Sequence, residues 1–400
     1  MIRLQIDSIH ENTHFRIKDQ EKARIFHTLY TTGSGTRKAL ADTLKLRPIT
    51  VSKVVRELID DKLINEELTE NKTGKGRPEI NLNCNHVRLS AITIGVVSRE
   101  ITGSLVNLGG ERIASYPVHM PEYSGNEALL LTINKIITSL QNQNPESSEL
   151  VGISLSLPGT VNTKHGEWVS SSRWPNLKHL LLDSLIVARG LPVFLYRFLD
   201  PELEFLLSRN STYRKGNGLL FHWGYGIGSA ASTGGRVLTS SPGRFGEIGH
   251  WTIIPGSEKL CRCGAYGCLE TEAALWAMLP EIKKIYPDTP EDESEFSVFI
   301  RENKIGKPGV FENALNYTSV SLANLCKIFY PDKIFLKGPF FYDETLLESF
   351  KDKFFQYLPE YKQSKGLFEV VSGTEGTLYG SVFHLFRDAL RPLMKTRGNV

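Results

Sequence analysis

The amino-acid sequence predicts an α+β winged helix-turn-helix domain followed by an α/β region built in two lobes. Helical apolar patterns and a turn-rich basic tail occupy residues 19–85. From residue 86 onward, short apolar strands, glycines and helices alternate, which is typical of α/β architecture. A run with one histidine and three cysteines, residues 250–268, interrupts the second part. We therefore expect a DNA-binding-type domain at 1–85 and a larger domain at 86–400.

The composition fits an ordinary globular protein of more than one domain. The chain has 400 residues, of which 40% are hydrophobic and 23% charged. Its first twenty residues lack the apolar core of a signal peptide, and no run approaches the roughly 18 apolar residues of a membrane span. Five cysteines, three of them in one short run, fit a reducing compartment. We expect a cytoplasmic protein without membrane insertion.

The positive charge is concentrated at the N-terminal end. The formal net charge is +3, and residues 1–85 carry 15 Lys and Arg against 12 Asp and Glu. Four basic residues and no acidic one lie from Lys45 to Arg56, and a second group is formed by Lys72, Lys75 and Arg77. Either group alone is compatible with a solvated face, but two groups in one small domain indicate contact with nucleic acid.

Three helical patterns precede a predicted hairpin. Apolar residues recur at helical spacing over 23–29 and 39–44, and a third pattern begins at Pro48 and continues to Ile64. Two short helices joined by a tight turn, followed by a strand, a basic tip and a second strand, are typical of a winged helix-turn-helix. The alternative is a small helical bundle with a flexible hairpin.

This domain predicts double-stranded operator DNA as a partner. The helix that begins at Pro48 presents small polar and basic residues, and an extended basic tip suits a minor groove or the phosphate backbone. The residues that we expect to contact DNA are Thr50, Ser52, Lys53 and Arg56 on the helix, and Lys75 and Arg77 on the wing. A two-fold operator would be read by a homodimer or a dimer of dimers.

The run from His250 to Cys268 predicts a structural zinc site. One imidazole and three thiolates, from His250, Cys261, Cys263 and Cys268, are a complete tetrahedral ligand set for Zn²⁺. Four protein ligands leave no open position, so the metal would stabilise the fold rather than catalyse. The alternatives are three unrelated cysteines near a histidine, or a disulfide, which would leave one cysteine odd.

The second part of the chain predicts an ordered series of strands and helices. They are a hairpin at 91–97 and 103–108, a helix at 128–140, strands at 150–157, 193–196 and 218–222, a helix at 320–329 and a strand at 333–336.

These motifs together resemble the ROK family, named for repressors, open reading frames and sugar kinases. The residues that carry the resemblance are Gly-Glu-Ile-Gly-His at 246–250, Pro255, Cys-Arg-Cys-Gly at 261–264, Gly-Cys-Leu-Glu-Thr at 267–271, Thr-Val-Ser-Lys at 50–53 and Gly-Arg-Pro at 76–78. The resemblance covers nearly the whole chain. It implies an actin-like, two-lobed sugar-kinase fold behind the winged helix-turn-helix, as in the branch of the xylose and N-acetylglucosamine repressors.

The chain departs from the family's kinases where catalysis takes place. The phosphate-binding Asp-x-Gly-Gly-Thr turn of those kinases corresponds here to residues 95–99, which read Gly-Val-Val-Ser-Arg. The Asn-Asp pair that supplies the general base corresponds to Arg197 and Phe198, and Asp200 replaces it only if the loop carries an insertion. We therefore expect no catalytic residues and no kinase activity.

The resemblance implies a sugar-binding site that is altered on one side. Glu247, His250 and Glu270 stand where the family binds sugar hydroxyls. The family's sugar-binding asparagine is not matched without a gap, so Arg173 and Asn176 are shifted candidates. Alternatively, the two glutamates only brace the zinc-binding run. The effector would be an unusual sugar, a sugar acid attracted by Arg173, or absent.

The expected function is transcriptional regulation of sugar-related genes, with repression as the expected sign. Two alternatives stay open: an active ROK sugar kinase with a DNA-binding arm, and a regulator controlled by a protein partner such as a sugar-transport protein. One local expectation concerns Lys45 and Lys62, which replace glycines usual in the family. Both lysines are expected in a strained left-handed backbone conformation.

Overall fold

The computed structural model describes residues 16–69, 79–182, 185, 190–240, 245–303, 309–364, 366–373 and 375–397. Within these ranges, no helix is both long enough and apolar enough to cross a membrane. Lys72, Lys75 and Arg77, which belong to the predicted wing, lie outside the described residues.

The N-terminal unit, residues 17–84, has three helices and a small antiparallel sheet. Its helices are α1 (Ile17–Thr32), α2 (Arg37–Leu44) and α3 (Pro48–Asp60), and its strands are β1 (Ser34–Gly35), β2 (Ile64–Thr69) and β3 (Glu79–Cys84). Strand β3 lies between β1 and β2. The Thr36 hydroxyl accepts the Ala39 amide at 3.2 Å and so caps α2. Pro48 occupies the first turn of α3, where a missing amide costs nothing.

Two lysines with left-handed backbone conformations end α2 and follow α3. Lys45 has φ 55° and Lys62 has φ 59°, so the expected left-handed conformation is confirmed at both. The apolar pattern that begins at Pro48 predicts a helix running to Ile64, and this is wrong by one turn: α3 ends at Asp60, and Ile64 already begins β2. The reversal at Lys62 turns the chain into the strand while keeping Leu63 and Ile64 buried.

Lobe I, residues 89–197 together with the last helix, is built on a five-stranded sheet. Its strands are β4 (Leu89–Val97), β5 (Glu100–Asn107), β6 (Arg112–His119), β7 (Glu149–Leu157) and β11 (Val193–Arg197), and its helices are α4 (Asn126–Asn142) and α11 (Glu375–Leu393). The strand order is β11-β7-β4-β5-β6. A second, three-stranded sheet of this lobe contains β8 (Thr160–Asn162), β9 (Glu167–Ser170) and β10 (Leu180–Leu181). The predicted hairpin, helix and strands of this part are confirmed.

Lobe II, residues 218–371, is also built on a five-stranded sheet. Helix α5 (Leu199–Ser208) connects the two lobes. Its strands are β12 (Gly218–Trp223), β13 (Ile227–Thr233), β14 (Arg236–Val237), β15 (Lys333–Lys337) and β16 (Phe368–Val371), in the order β14-β13-β12-β15-β16. Its helices are α6 (Leu269–Ala273), α7 (Leu275–Ile285), α8 (Glu293–Asn303), α9 (Glu312–Phe329) and α10 (Glu344–Tyr357). Helix α9 begins eight residues earlier than the sequence pattern predicts.

The N-terminal unit shares its core with lobe I and helix α11. Phe26 and Leu58 belong to the same buried cluster as Leu108 and Phe386. The Tyr30 hydroxyl donates to the Leu108 carbonyl at 2.9 Å. Burying these side chains together ties the unit to lobe I through apolar contact as well as through hydrogen bonds.

A polar clasp, formed by residues 395–397 with Asp19, Lys22 and Asp61, closes the same junction. The Lys22 ammonium is fully buried and lies 2.8 Å from the Asp61 carboxylate. Asp19 accepts the amide of Thr396 at 2.7 Å, and Arg397 donates to Asp61 at 2.6 Å. The segment after α11 is therefore held against both α1 and the end of α3.

Candidate functional site

Helix α3 buries its apolar stripe and presents a polar, basic face. Val51, Val54, Val55 and Leu58 are at most 4% exposed. On the other side, Ser52, Lys53 and Arg56 are exposed and Thr50 is partly exposed. Ser52, Lys53 and Arg56 share one face with Ile49, because these positions follow the helical spacing of 3.6 residues, and Thr50 lies at the edge of that face. Ile49 on this face is 78% exposed.

The predicted metal ligands converge in the loop that leads into α6. The ligand atoms of His250, Cys261, Cys263 and Cys268 all lie within 4.8 Å of one another. Nδ1 of His250 lies 3.6 Å from the Cys261 sulfur, and the sulfurs of Cys263 and Cys268 are 3.8 Å apart. These separations are close to the edges of a tetrahedron with zinc–sulfur bonds of about 2.3 Å. The cluster can hold a metal ion with the expected four ligands.

His250 connects this cluster to a cavity. Its Nδ1 faces the cysteines, whereas its Nε2 lies 3.8 Å from the Glu247 carboxylate. A metal on Nδ1 would leave the proton on Nε2 and fix the orientation of the ring, which is the usual effect of metal binding on a histidine.

The cavity, of about 230 Å³, lies between the two lobes. Its lining includes the expected residues Arg173, Glu247, His250 and Glu270, and also Lys178, Arg197, Phe198, His222 and Arg262. Asn176 is not among the lining residues described; it is exposed, and its amide donates to the carbonyl of Tyr123 at 2.8 Å. The structure therefore brings four of the five predicted effector-binding residues together.

Arg197 forms the floor of the cavity and neutralises two carboxylates. Its guanidinium lies 2.6 Å from Asp200 and 3.7 Å from Glu247, and it also donates to the Ser229 carbonyl. Burial raises the pKa of Asp200 and of Glu247, and the Arg197 charge opposes both shifts. Asp200, the alternative base, is thus already bound to a cation in a buried ion pair.

Glu270 supports the glycine turn, residues 224–228, rather than the metal loop. One of its carboxylate oxygens accepts the Ile227 amide at 2.9 Å, and the other accepts the Trp276 indole at 3.1 Å. These two contacts tie Glu270 to the glycine turn and to Trp276 rather than to the zinc-binding run, and its carboxylate also lines the cavity.

Several polar residues of the cavity escape sequence reasoning. Arg262 lies between Cys261 and Cys263 in sequence, but its side chain crosses to lobe I, where it contacts the carbonyl of Ser172 and the Glu122 carboxylate. The lining residues Arg173 and His222 both contact the Glu293 carboxylate, at 3.0 Å and 3.1 Å. No spacing pattern joins these residues, since Arg173 and Glu293 are 120 positions apart in the chain, and Glu122 and Arg262 are 140 positions apart. A family alignment is the signal that would find them.

The fold and this cavity define a class: residues 89–397 form a two-lobed, actin-like domain of the sugar-kinase type, preceded by a helical N-terminal unit. The ROK family model matches residues 90–383, and the chain belongs to the ROK family.

Relatives of known name include both regulators and enzymes. The DNA-binding transcriptional dual regulator NagC of Escherichia coli (strain K12) is 25% identical over 335 residues, which cover 80% of this chain and 81% of NagC. The crystal structure of a ROK family transcriptional regulator, a homologue of the E. coli MLC protein, has 26% identity and a TM-score of 0.70, and covers 96% of this chain and 100% of that one. A ROK hexokinase from Thermus thermophilus shares the fold, with 22% identity, a TM-score of 0.56 and coverage of 75% of this chain and 99% of that one.

Proposed function

We propose that this protein is a DNA-binding transcriptional regulator, and a repressor, of sugar-related genes. The observation that carries the proposal is helix α3, whose apolar side is buried while Ser52, Lys53 and Arg56 face solvent in the second helix of a helix-turn-helix arrangement. With the β1-β3-β2 sheet, the N-terminal unit has the element order of a winged helix-turn-helix. The similarity to a ROK regulator over 96% of the chain, N-terminal unit included, supports it.

In this proposal Thr50 and Ser52 reach base edges, and Lys53 and Arg56 contact phosphates. Lys75 and Arg77 extend the contact to the backbone or the minor groove. Two chains, as a homodimer or dimer of dimers, read a two-fold operator. The DNA-binding domain proposed here ends at residue 85 and the larger domain begins at residue 86, and the two share a core.

The metal proposed for the four-ligand loop is structural Zn²⁺. The chemistry of the ligands fits, because three thiolates and one imidazole are preferred by zinc and leave no position for substrate. His250, Cys261, Cys263 and Cys268 would hold the ion. Its contribution is to fix the loop, so that the Nε2 atom of His250 keeps its direction toward Glu247 and the cavity.

The effector proposed for the cavity is a sugar or a sugar derivative. Glu247, Glu270 and Nε2 of His250 offer hydrogen-bonding groups suited to hydroxyls, and the cavity volume of about 230 Å³ is large enough for one sugar ring. Arg173 binds the effector less directly than the sequence suggests, because its guanidinium is already paired with Glu293 at 3.0 Å. Asn176 stays a candidate only if its loop turns toward the cavity.

We also propose that the protein has no kinase activity. The first hairpin has no phosphate-binding carboxylate at residues 95–99, and Phe198 stands beside the cavity where a base would be needed. The assay is sugar-dependent release of ADP with common hexoses. Turnover that disappears in Asp200→Asn would show that Asp200 is the base and that the protein is a kinase with a DNA-binding arm.

Mapping of bound DNA across the source genome tests the main proposal. A regulator of this kind should occupy two-fold sites next to genes of sugar uptake or breakdown, and lose them when residues 66–80 are deleted. Absence of any enriched site would contradict the proposal. Capture of a sugar-transport protein by the purified full chain would support the alternative of a regulator controlled by a protein partner.

A further inference from the structure

Two carboxylates lie against the backbone of the glycine turn between β12 and β13. Successive backbone amides in a turn of this kind form a concave surface that binds anions. Here the amide of Ile227 donates to Glu270 at 2.9 Å, and the backbone of Tyr225 stabilises the charged form of Glu293 and so lowers its pKa. Glu270 reaches the turn from the side of the cavity, and Glu293 reaches it from the first residue of α8.

The approach of Glu293 to the turn depends on a glycine. A Cβ atom at Gly224 would lie 1.9 Å from Oε1 of Glu293, which is far inside van der Waals contact. Glu293 is only 7% exposed. Only the absence of a side chain at residue 224 therefore lets the carboxylate lie against the backbone, which is the relation that glycine turns have to bound anions.

Two cationic or hydrogen-bonding side chains complete the surroundings of this carboxylate. One oxygen lies 3.0 Å from the guanidinium of Arg173, and the other lies 3.1 Å from Nε2 of His222. Burial alone would raise the pKa of Glu293, but His222, Arg173 and the turn amide outweigh it and lower the pKa to about 2. The side chain is therefore an anion at neutral pH.

Glu293 also joins the two lobes. Arg173 belongs to lobe I, whereas the glycine turn and His222 belong to lobe II. In addition, the backbone amide of Glu293 donates to the Ser98 hydroxyl at 3.1 Å, and Ser98 lies in the β4–β5 turn of lobe I with φ 53°. One residue of lobe II thus contacts lobe I through both its side chain and its backbone.

We propose that the Glu293 carboxylate is a built-in anion that fills an oxyanion site formed by the glycine turn, Arg173 and His222, and that it latches the two lobes together. A second observation points to ligand binding at this place. Nε of Arg173, a residue 6% exposed on the cavity wall, is buried and has no hydrogen-bond partner in the described part of the chain. A free oxyanion of the phosphate class would fit the site only when the Glu293 carboxylate has left it.

The test measures binding of inorganic phosphate and pyrophosphate to the full-length protein by titration calorimetry. Glu293→Ala opens the site and should bind pyrophosphate at least about tenfold more tightly than the parent, since charge-assisted hydrogen bonds from an arginine become available. Glu295→Ala is the matched control, because Glu295 lies two residues further along α8 and is exposed. It should bind pyrophosphate as weakly as the parent does.

The double variant Glu293→Ala with Arg173→Ala should lose the gained affinity. Equal pyrophosphate binding by the parent and by folded Glu293→Ala would overturn the proposal. If Glu293→Ala does not fold, Glu293→Gln decides the question, since it keeps the size and removes the charge. Glu293→Gln should exchange amide hydrogens faster than the parent at residues 95–99 and 224–228; unchanged exchange in both segments would refute the latch.

Discussion

The metal loop and the cavity beside it differ in how their polar groups are used. In the loop, the four ligand atoms of His250, Cys261, Cys263 and Cys268 converge within 4.8 Å of one another. In the cavity, the arginines already bind carboxylates: Arg197 binds Asp200, and Arg173 binds Glu293. The first arrangement can hold a metal ion. The second has satisfied its own charges, so a ligand must either use the remaining hydrogen-bonding positions or displace an internal partner.

The largest effect is expected from removal of a metal ligand. Cys263→Ser should lower the thermal midpoint by tens of degrees or cause aggregation, because metal-binding energy in such loops, about 10 kcal/mol or more, is folding energy. Cys84→Ser is the control, since Cys84 is a partly buried cysteine far from the loop. Elemental analysis should give about one zinc per parent chain, and a value well below that would contradict the assignment.

The next largest effect is expected from removal of the Arg197 charge in the cavity. Arg197→Met leaves Asp200 and Glu247 without their cation and should cost about 3–5 kcal/mol in the free energy of unfolding. Because burial raises the pKa of Asp200, protonation relieves the unpaired charge, and the loss should shrink as the pH falls toward that pKa. Chemical denaturation at several pH values measures both the loss of unfolding free energy and its dependence on pH.

Arg209→Met is the control for this variant. Arg209 pairs with Glu369 at 3.2 Å, but its side chain is 53% exposed, so its removal should cost no more than about 1 kcal/mol. Similar losses in the two variants would show that the Arg197 cluster is as solvated as a surface pair.

Substitutions in helix α3 are expected to have a moderate effect on DNA affinity. Thr50→Ala or Ser52→Ala should cost about 1–3 kcal/mol on the operator and little on random DNA. Arg56→Ala should weaken both and reduce the slope of log affinity against log salt by about 0.9. Lys327→Ala, an exposed lysine on α9, is the control and should change neither. Binding curves on both DNAs at several salt concentrations provide the measurement, and an effect of Ser52→Ala on random DNA equal to that on the operator would remove its role in base recognition.

The smallest effect concerns Lys45, whose φ is 55°. Lys45→Gly should stabilise the folded chain by about 1 kcal/mol, because glycine relieves the strain of the left-handed backbone. It should also weaken DNA binding slightly, because it removes a positive charge. Lys45→Ala separates the two, because it removes the charge but keeps the Cβ atom. Equal stability of the glycine and alanine variants would argue against strain at this turn.

What the sequence predicted correctly is mostly local. The helices of the N-terminal unit, the hairpin at β4 and β5, and the convergence of His250 with the cysteines follow from spacing within about 20 residues. The residues that sequence reasoning missed, Arg197 as a pairing centre and Glu293 as a turn-bound carboxylate, act through contacts made only after the lobes pack. Asn176 is a further example. Its position in the sequence made it a candidate for effector binding, but in the fold its amide donates to the carbonyl of Tyr123.

The clasp at residues 395–397 has a mechanical consequence. Helix α1, the end of α3 and the segment after α11 are joined by the buried Lys22 ammonium and by carboxylate contacts of Asp19 and Asp61, so we expect them to move as one rigid body. If Thr50 and Ser52 contact an operator as proposed, a rotation of lobe I should also displace these two residues relative to the groove that they would read.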